Sequence, residues 1–163
     1  MLEMSDLKAS IVLQAMVSGL LKSKADSNFT IEMGTYGTVK EGICYGCCAT
    51  VALAEIFGKG KLASEIMLAY AKTPTDRSDF LYAKLSYSLP LETVQDSLLV
   101  SKLHNLECAI DKARMGGVSL LIHWLTGEAN TSFDGRWNLN DHDWEEQLPK
   151  IKATIVEMAT AGY

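Results

Sequence analysis

The chain has no apolar run long enough to span a bilayer, no dense block of lysine and arginine, and no glycine loop of the phosphate-cradling kind. A membrane-spanning helix needs roughly 20 consecutive apolar residues, so no membrane association is expected. Phosphate backbones are gripped by clustered cations. Here the formal charge is −5, and Lys59, Lys61 and Lys72 are spread too thinly for a nucleic-acid surface. Gly34-Thr35-Tyr36-Gly37 does not lead into a helix opened by Lys-Ser/Thr, which excludes the nucleotide loop. The opening Met1-Leu2-Glu3-Met4-Ser5-Asp6 lacks the basic start and the small-residue cleavage site of a signal peptide, so a cytoplasmic location is expected. Repeats, linkers and low-complexity tracts are missing too, and residues 1–163 are expected to form a single domain.

What is present is an ordinary globular balance, 48% apolar and 21% charged, in a chain long enough to bury a core. Helical spacing predicts a first helix over 5–23, through Ala9, Val12, Leu13, Met16 and Leu20, with Ser5 able to cap it. Phe29-Thr30-Ile31-Glu32-Met33 alternates like a strand, and Gly34, Gly37 and Gly42 then punctuate a hairpin or irregular loop. A second helix is expected from Gly46 or Cys47 to Phe57, and a third over 61–72. Residues 76–96 read ambiguously, with 85–89 alternating as a strand would. Leu99, Leu103, Leu106, Ile110 and Ala113 form the stripe of a helix over 97–115. Val118 to Leu125 reads first as a short buried helix and second as a buried strand. Asn130 to Asn140 reads as a loop in which Asp134 and Arg136 can pair. A last helix carries Trp144, Leu148, Ile151, Ile155 and Met158 on one face. Pro149 either falls in the first turn of a helix that begins near Leu148 or kinks a longer one. The fold class is therefore mostly α, a compact helical domain with a small β-hairpin or loop element near residues 29–45. It becomes α+β if 85–89 and 118–125 are strands.

The four cysteines carry the chemical interest, since Cys44, Cys47 and Cys48 fall together where a loop meets a helix. A thiol just ahead of a helix sits near free N–H donors and the positive end of the dipole, which lowers its pKa. In a reducing compartment such cysteines are thiols, ligands or catalytic groups rather than a disulfide framework. Three readings follow. A cysteine hydrolase would use Cys44 or Cys47 as nucleophile, His123 as base and Asp134 as the orienting group. Taken alone, His123 in its apolar run reads as a hydrogen-bonded core histidine. A structural zinc site would join Cys44 and Cys47 to His104 and Cys108, which lie one helical turn apart. The third reading needs no chemistry. Cys47, Cys48, Ala49, Ala52 and Ala54 are small, and they let another element pack closely. Apart from the zinc alternative, no cofactor is expected.

Two stretches carry a resemblance. Gly42-Ile43-Cys44-Tyr45-Gly46-Cys47, followed by a small-residue helix, is one; Phe133-Asp134 leading through Trp144-Glu145-Glu146-Gln147-Leu148-Pro149 is the other. Together they resemble a group of small proteins of cyanobacteria and mobile elements, a likeness that assigns no role to any residue. The cysteine segment is also similar to the start of the catalytic helix in papain-like proteases, Gln-Gly-x-Cys-Gly-Ser-Cys-Trp. Here Glu41 takes the place of the oxyanion-hole Gln and Cys48 that of the Trp, and the likeness implies Cys47 as nucleophile. The Gly-x-Cys-x-Gly pattern of some bacterial effector proteases implies Cys44 instead.

Trp137 and Trp144 flank a polar loop, and Tyr36 and Tyr45 lie in the glycine-rich region; these are the aromatic candidates for a protein interface. The packing alternative puts both tryptophans in the core. The expected function is non-enzymatic: a binding or inhibitory protein whose partner is another protein. The mobile-element likeness implies a bacterial defence or regulatory complex as its target.

Overall fold

The computed structural model describes residues 7–35, 37–70, 78–79, 105–112, 117–139 and 141–163. It is mostly α with a small sheet. Helix α1 runs Ala9–Lys24, α2 Cys48–Phe57, α3 Ala63–Tyr70, α4 over residues 105–112, α5 Val118–Thr126 and α6 Trp144–Thr160. The strands are β1 Phe29–Ile31, β2 Thr38–Lys40, β3 Ile43–Gly46 and β4 Ser78–Asp79, in the order β1-β3-β2-β4. The expected β element is thus a real sheet. β3 lies at its centre, parallel to β1 (Phe29 opposite Cys44) and antiparallel to β2 (Val39 opposite Cys44).

A two-residue loop joins β2 to β3. Glu41 and Gly42 both have positive φ, 53° and 77°, the backbone that the right-handed twist of a tight hairpin demands. Gly42 adopts it freely, whereas Glu41 carries a Cβ into the left-handed region. At the other end of β3 there is no room for a side chain on Gly46. A Cβ there would meet Phe29 Cζ at 3.0 Å and the Thr50 side chain at 3.1 Å. That crowding seats the strand-to-helix junction directly on β1.

Helix α1 is the hub. Val12, Leu13, Met16 and Leu20 are fully buried, and small Ala9, Ser10, Ala15, Gly19 and Ser23 are buried beside them. A helix apolar nearly all round is one that other elements surround. Among the described residues its largest interface is with α2, and it also packs on α6, β1, α5 and α3. The small residues of α2 make the close approach possible. Cys48, Ala49, Ala52 and Ala54 are at most 2% exposed, and a Cβ on Gly19 would come within 2.6 Å of the Val51 carbonyl oxygen.

Several expectations are corrected, and two pairs of alternatives are decided. The first helix starts at Ala9 behind an extended Lys8 that makes no side-chain cap, and the proposed cap Ser5 lies outside the described residues. Residues 118–125 are the helix expected first, not the strand, but only the face of Val118, Leu121 and Ile122 is buried. Of the two alternatives for the last helix, the longer one holds: it begins at Trp144, which leaves Pro149 in its second turn. Burial of Trp144 and two bonds between Gln147 and the Asn138 backbone, at 2.8 and 3.2 Å, anchor that early start. Asp134 and Arg136 do not pair with each other. Arg136 grips Glu157 at 2.5 and 3.3 Å. The expected strand at 85–89 lies outside the described residues, as do all of 76–96 other than β4 and the helical turns proposed for 97–104 and 113–115.

Candidate functional site

At the β3–α2 junction alternation along β3 turns Cys44 inward, where it is 0% exposed. Its thiol donates to the Ser64 carbonyl at 3.8 Å. Burial, with the Asp26 carboxylate adding to it, pushes this thiol up to about 12 and makes it a poor nucleophile. Cys47 is the extended residue capping α2 and is 1% exposed. A hydrogen bond from the Cys48 thiol pulls its pKa down to about 7 against the cost of burial, helped by the backbone N–H groups of Thr50 and Ala49 and by the Thr50 hydroxyl. Cys48 is fully buried and shifted upward, first by that same bond and then by burial.

Glu107 on α4, which the sequence reading passed over, faces this group. It is 5% exposed, and its carboxyl is pushed up to about 7 by burial first, then by Cys47 and Asp111. The signal was available. Glu107 stands four residues after Leu103 and three before Ile110, squarely on the apolar stripe.

The other catalytic candidates are elsewhere. His123 is on the exposed side of α5, not in the core. Helical periodicity sends Leu121 and Ile122 inward and turns the next position outward. Asp134 is occupied with the start of α5, where it accepts from Ser119 N–H at 2.9 Å and from the Ser119 hydroxyl at 2.7 Å. Glu41, in the oxyanion-hole position of the papain likeness, is exposed in the hairpin turn at the far end of β3 from Cys47. The structure therefore does not assemble Cys44 or Cys47 with His123 and Asp134. Of the zinc set, His104 lies outside the described residues and Cys108 is half-buried. Among the described residues no three His, Cys, Asp or Glu side chains group to hold a metal ion.

Trp137 and Trp144, at 6% and 5% exposed, are both buried in the core, and Trp144 also reaches the wall of a cleft. The Trp137 indole donates to the Thr154 hydroxyl at 3.0 Å, which satisfies its only polar atom. Tyr45 is half-buried in the central strand, and Tyr36 lies outside the described residues.

Among the described residues there is also an open cleft of about 290 Å3 where the end of α1, strand β1 and the start of α6 meet. Buried Phe29 and Trp144 and half-buried Ile31 and Met33 give it apolar walls; Lys24, Thr30, His142 and Glu145 give it a polar mouth. Lys24 and Glu145 form an ion pair across the mouth. Side chains of successive strand residues point to opposite faces. A cleft that touches Phe29, Thr30 and Ile31 alike therefore follows the edge of β1 rather than one of its faces. The peptide groups agree with this. The Cys44 N–H donates to Asn28 O and the Glu32 N–H to Gly46 O, both at 2.8 Å, so residues 28, 30 and 32 face β3. Those of Phe29 and Ile31 face away, and among the described residues no strand pairs with that side of β1. Comparison of the chain with protein-family models, with curated proteins and with solved structures finds no match in any of the three.

Proposed function

We propose that the protein is a non-enzymatic binding module that captures an extended segment of another protein on the outer edge of β1. One observation carries the reading: an edge of β1 that pairs with no strand among the described residues runs along an apolar cleft. Backbone bonds to such an edge supply affinity, and side-chain pockets beside it supply selectivity. At about 290 Å3 the cleft falls at the small end of ligand cavities, which begin near ~300 Å3. It holds one or two side chains of a bound chain better than a whole cofactor. The sealed thiols support the same view, since a nucleophile 0–1% exposed meets no substrate. With the mobile-element likeness, we place the target among bacterial defence or regulatory complexes, which the module would inhibit by covering a surface.

Affinity capture from the native source tests this with three baits: the unaltered chain, Ile31→Pro and Cys47→Ala. The Ile31 N–H points away from β3, so proline removes an edge donor without breaking the ladder. Ile31→Pro should lose the partner and Cys47→Ala should keep it. The opposite pattern refutes the proposal. A second reading, thiol chemistry, rests on the lowered pKa of Cys47 at the start of α2. It requires Cys47 to be alkylated at neutral pH faster than a model thiol.

A further inference from the structure

We infer that the segment taken up by the β1 edge is basic: an extended stretch with an apolar side chain for the cleft and Lys or Arg on either side of it. This rests on the proposed function and names its partner class. The outward peptide groups offer a Phe29 carbonyl and both groups of Ile31. The Phe29 N–H is already spent on Asp26 O at 3.2 Å. A partner strand thus gains a short row of backbone bonds, too few to choose a sequence, and the choice falls to side chains. The cleft between Phe29, Ile31 and Trp144 takes an apolar group.

Charge around the mouth decides what flanks it. Asp141, Asp143, Glu145 and Glu146 are all exposed, and Glu32 follows directly after the edge strand. Among the described residues Lys24 alone opposes them in the cleft lining, and it is held by Glu145. Acidic residues at the start of a helix complement its dipole, which accounts for Glu145 and Glu146 locally. Their potential still reaches anything lying on β1, since exposed charges act over about 8 Å at physiological salt. The same field argues against a second copy of this chain. Two copies paired edge to edge would bring Glu32 and the 141–146 carboxylates of both together, on chains that each carry −5.

A randomised short-peptide display library, panned on the full chain and counter-selected on Ile31→Pro, tests the inference. Selected peptides should carry Lys or Arg around one apolar residue and shift the Ile31 amide in NMR spectra. They should weaken about tenfold when the basic residues become Glu, the effect of a few exposed charge pairs acting together. The charge-neutral variant Asp141→Asn/Asp143→Asn/Glu146→Gln keeps side chains able to cap α6 and should show the same loss. That variant carries the test if Ile31→Pro does not fold. Acidic or uncharged peptides that still shift Ile31 overturn the partner class and leave edge capture standing. Absence of any peptide that depends on Ile31 overturns both. A dimer of the chain that Ile31→Pro abolishes assigns the edge to a second copy and overturns the inference.

Discussion

Replacing Gly19 by alanine should destabilise the protein, although alanine is the better helix former. In an exposed helix the exchange gains about 1 kcal/mol. Here the new methyl has nowhere to go: its position is 2.6 Å from the Val51 carbonyl oxygen and 2.9 Å from both the carbonyl carbon and Cβ of the same residue. Two of these three atoms are backbone, so no rotamer change on α2 relieves the contact. Helix α1 must instead back away from α2 by several tenths of an ångström along the largest interface among the described elements. Overpacking of this kind costs about 1–3 kcal/mol. After the propensity gain the net loss should be about 1 and at most about 2 kcal/mol, and a loss of about 1 kcal/mol lowers Tm by about 2–4 °C for a chain of this size. Urea unfolding of the wild type, Gly19→Ala and Gly19→Ala/Val51→Ala measures it. The double variant should recover little, because the carbonyl remains. A Gly19→Ala protein as stable as the wild type, or full rescue by Val51→Ala, would refute the close-contact argument.

Acid–base behaviour should bear the mark of the buried pair. Glu107 is raised from 4.5 to about 7, so the stability it lends is complete below pH 4.5 and is lost as pH rises through 7. Cys47 is lowered from 9.0 to about 7, so its contribution is complete above pH 9 and is lost as pH falls through 7. Stability measured by urea unfolding across pH should therefore dip near neutrality; Glu107→Gln should flatten the acid limb and Cys47→Ala the alkaline limb. Glu41→Asn should stabilise by about 0.5–1 kcal/mol in chemical denaturation, since asparagine tolerates the positive φ of the hairpin turn. Asp134→Ala should cost about 1 kcal/mol, read as a lower Tm, because Ser119 N–H at the start of α5 loses its acceptor.

Much of the helical frame was legible in the sequence. Val12, Leu13, Met16 and Leu20 give the buried side of α1, and Ile151, Ile155 and Met158 that of α6, because both stripes repeat at the helical period and face a core. The small residues after Gly46 also read correctly as a surface for close packing. The sheet was harder. Its central pairing joins Phe29 to Cys44 in parallel, across a stretch whose glycines look like loop, and such pairing leaves no local mark on either strand. Pro149 left two starts open because a local rule meets a tertiary one: burial of Trp144 and the grip of Gln147 on Asn138 select the earlier start over the one proline alone would suggest. His123 was misjudged by composition, since an apolar run that folds as a helix still turns one side to water. The cleft was not readable at all, because its walls come from Lys24, the 29–33 segment and the 142–145 segment, which meet only in the folded chain.

Between the last residue of β3 and the first of α2 stands a single amino acid, Cys47. The phase of the helix is therefore geared to the register of the sheet with no slack. One residue inserted there would turn α2 by about 100° about its axis and carry its alanines away from Gly19. Lineages of this protein should tolerate changes of side chain at the junction far more readily than changes of length.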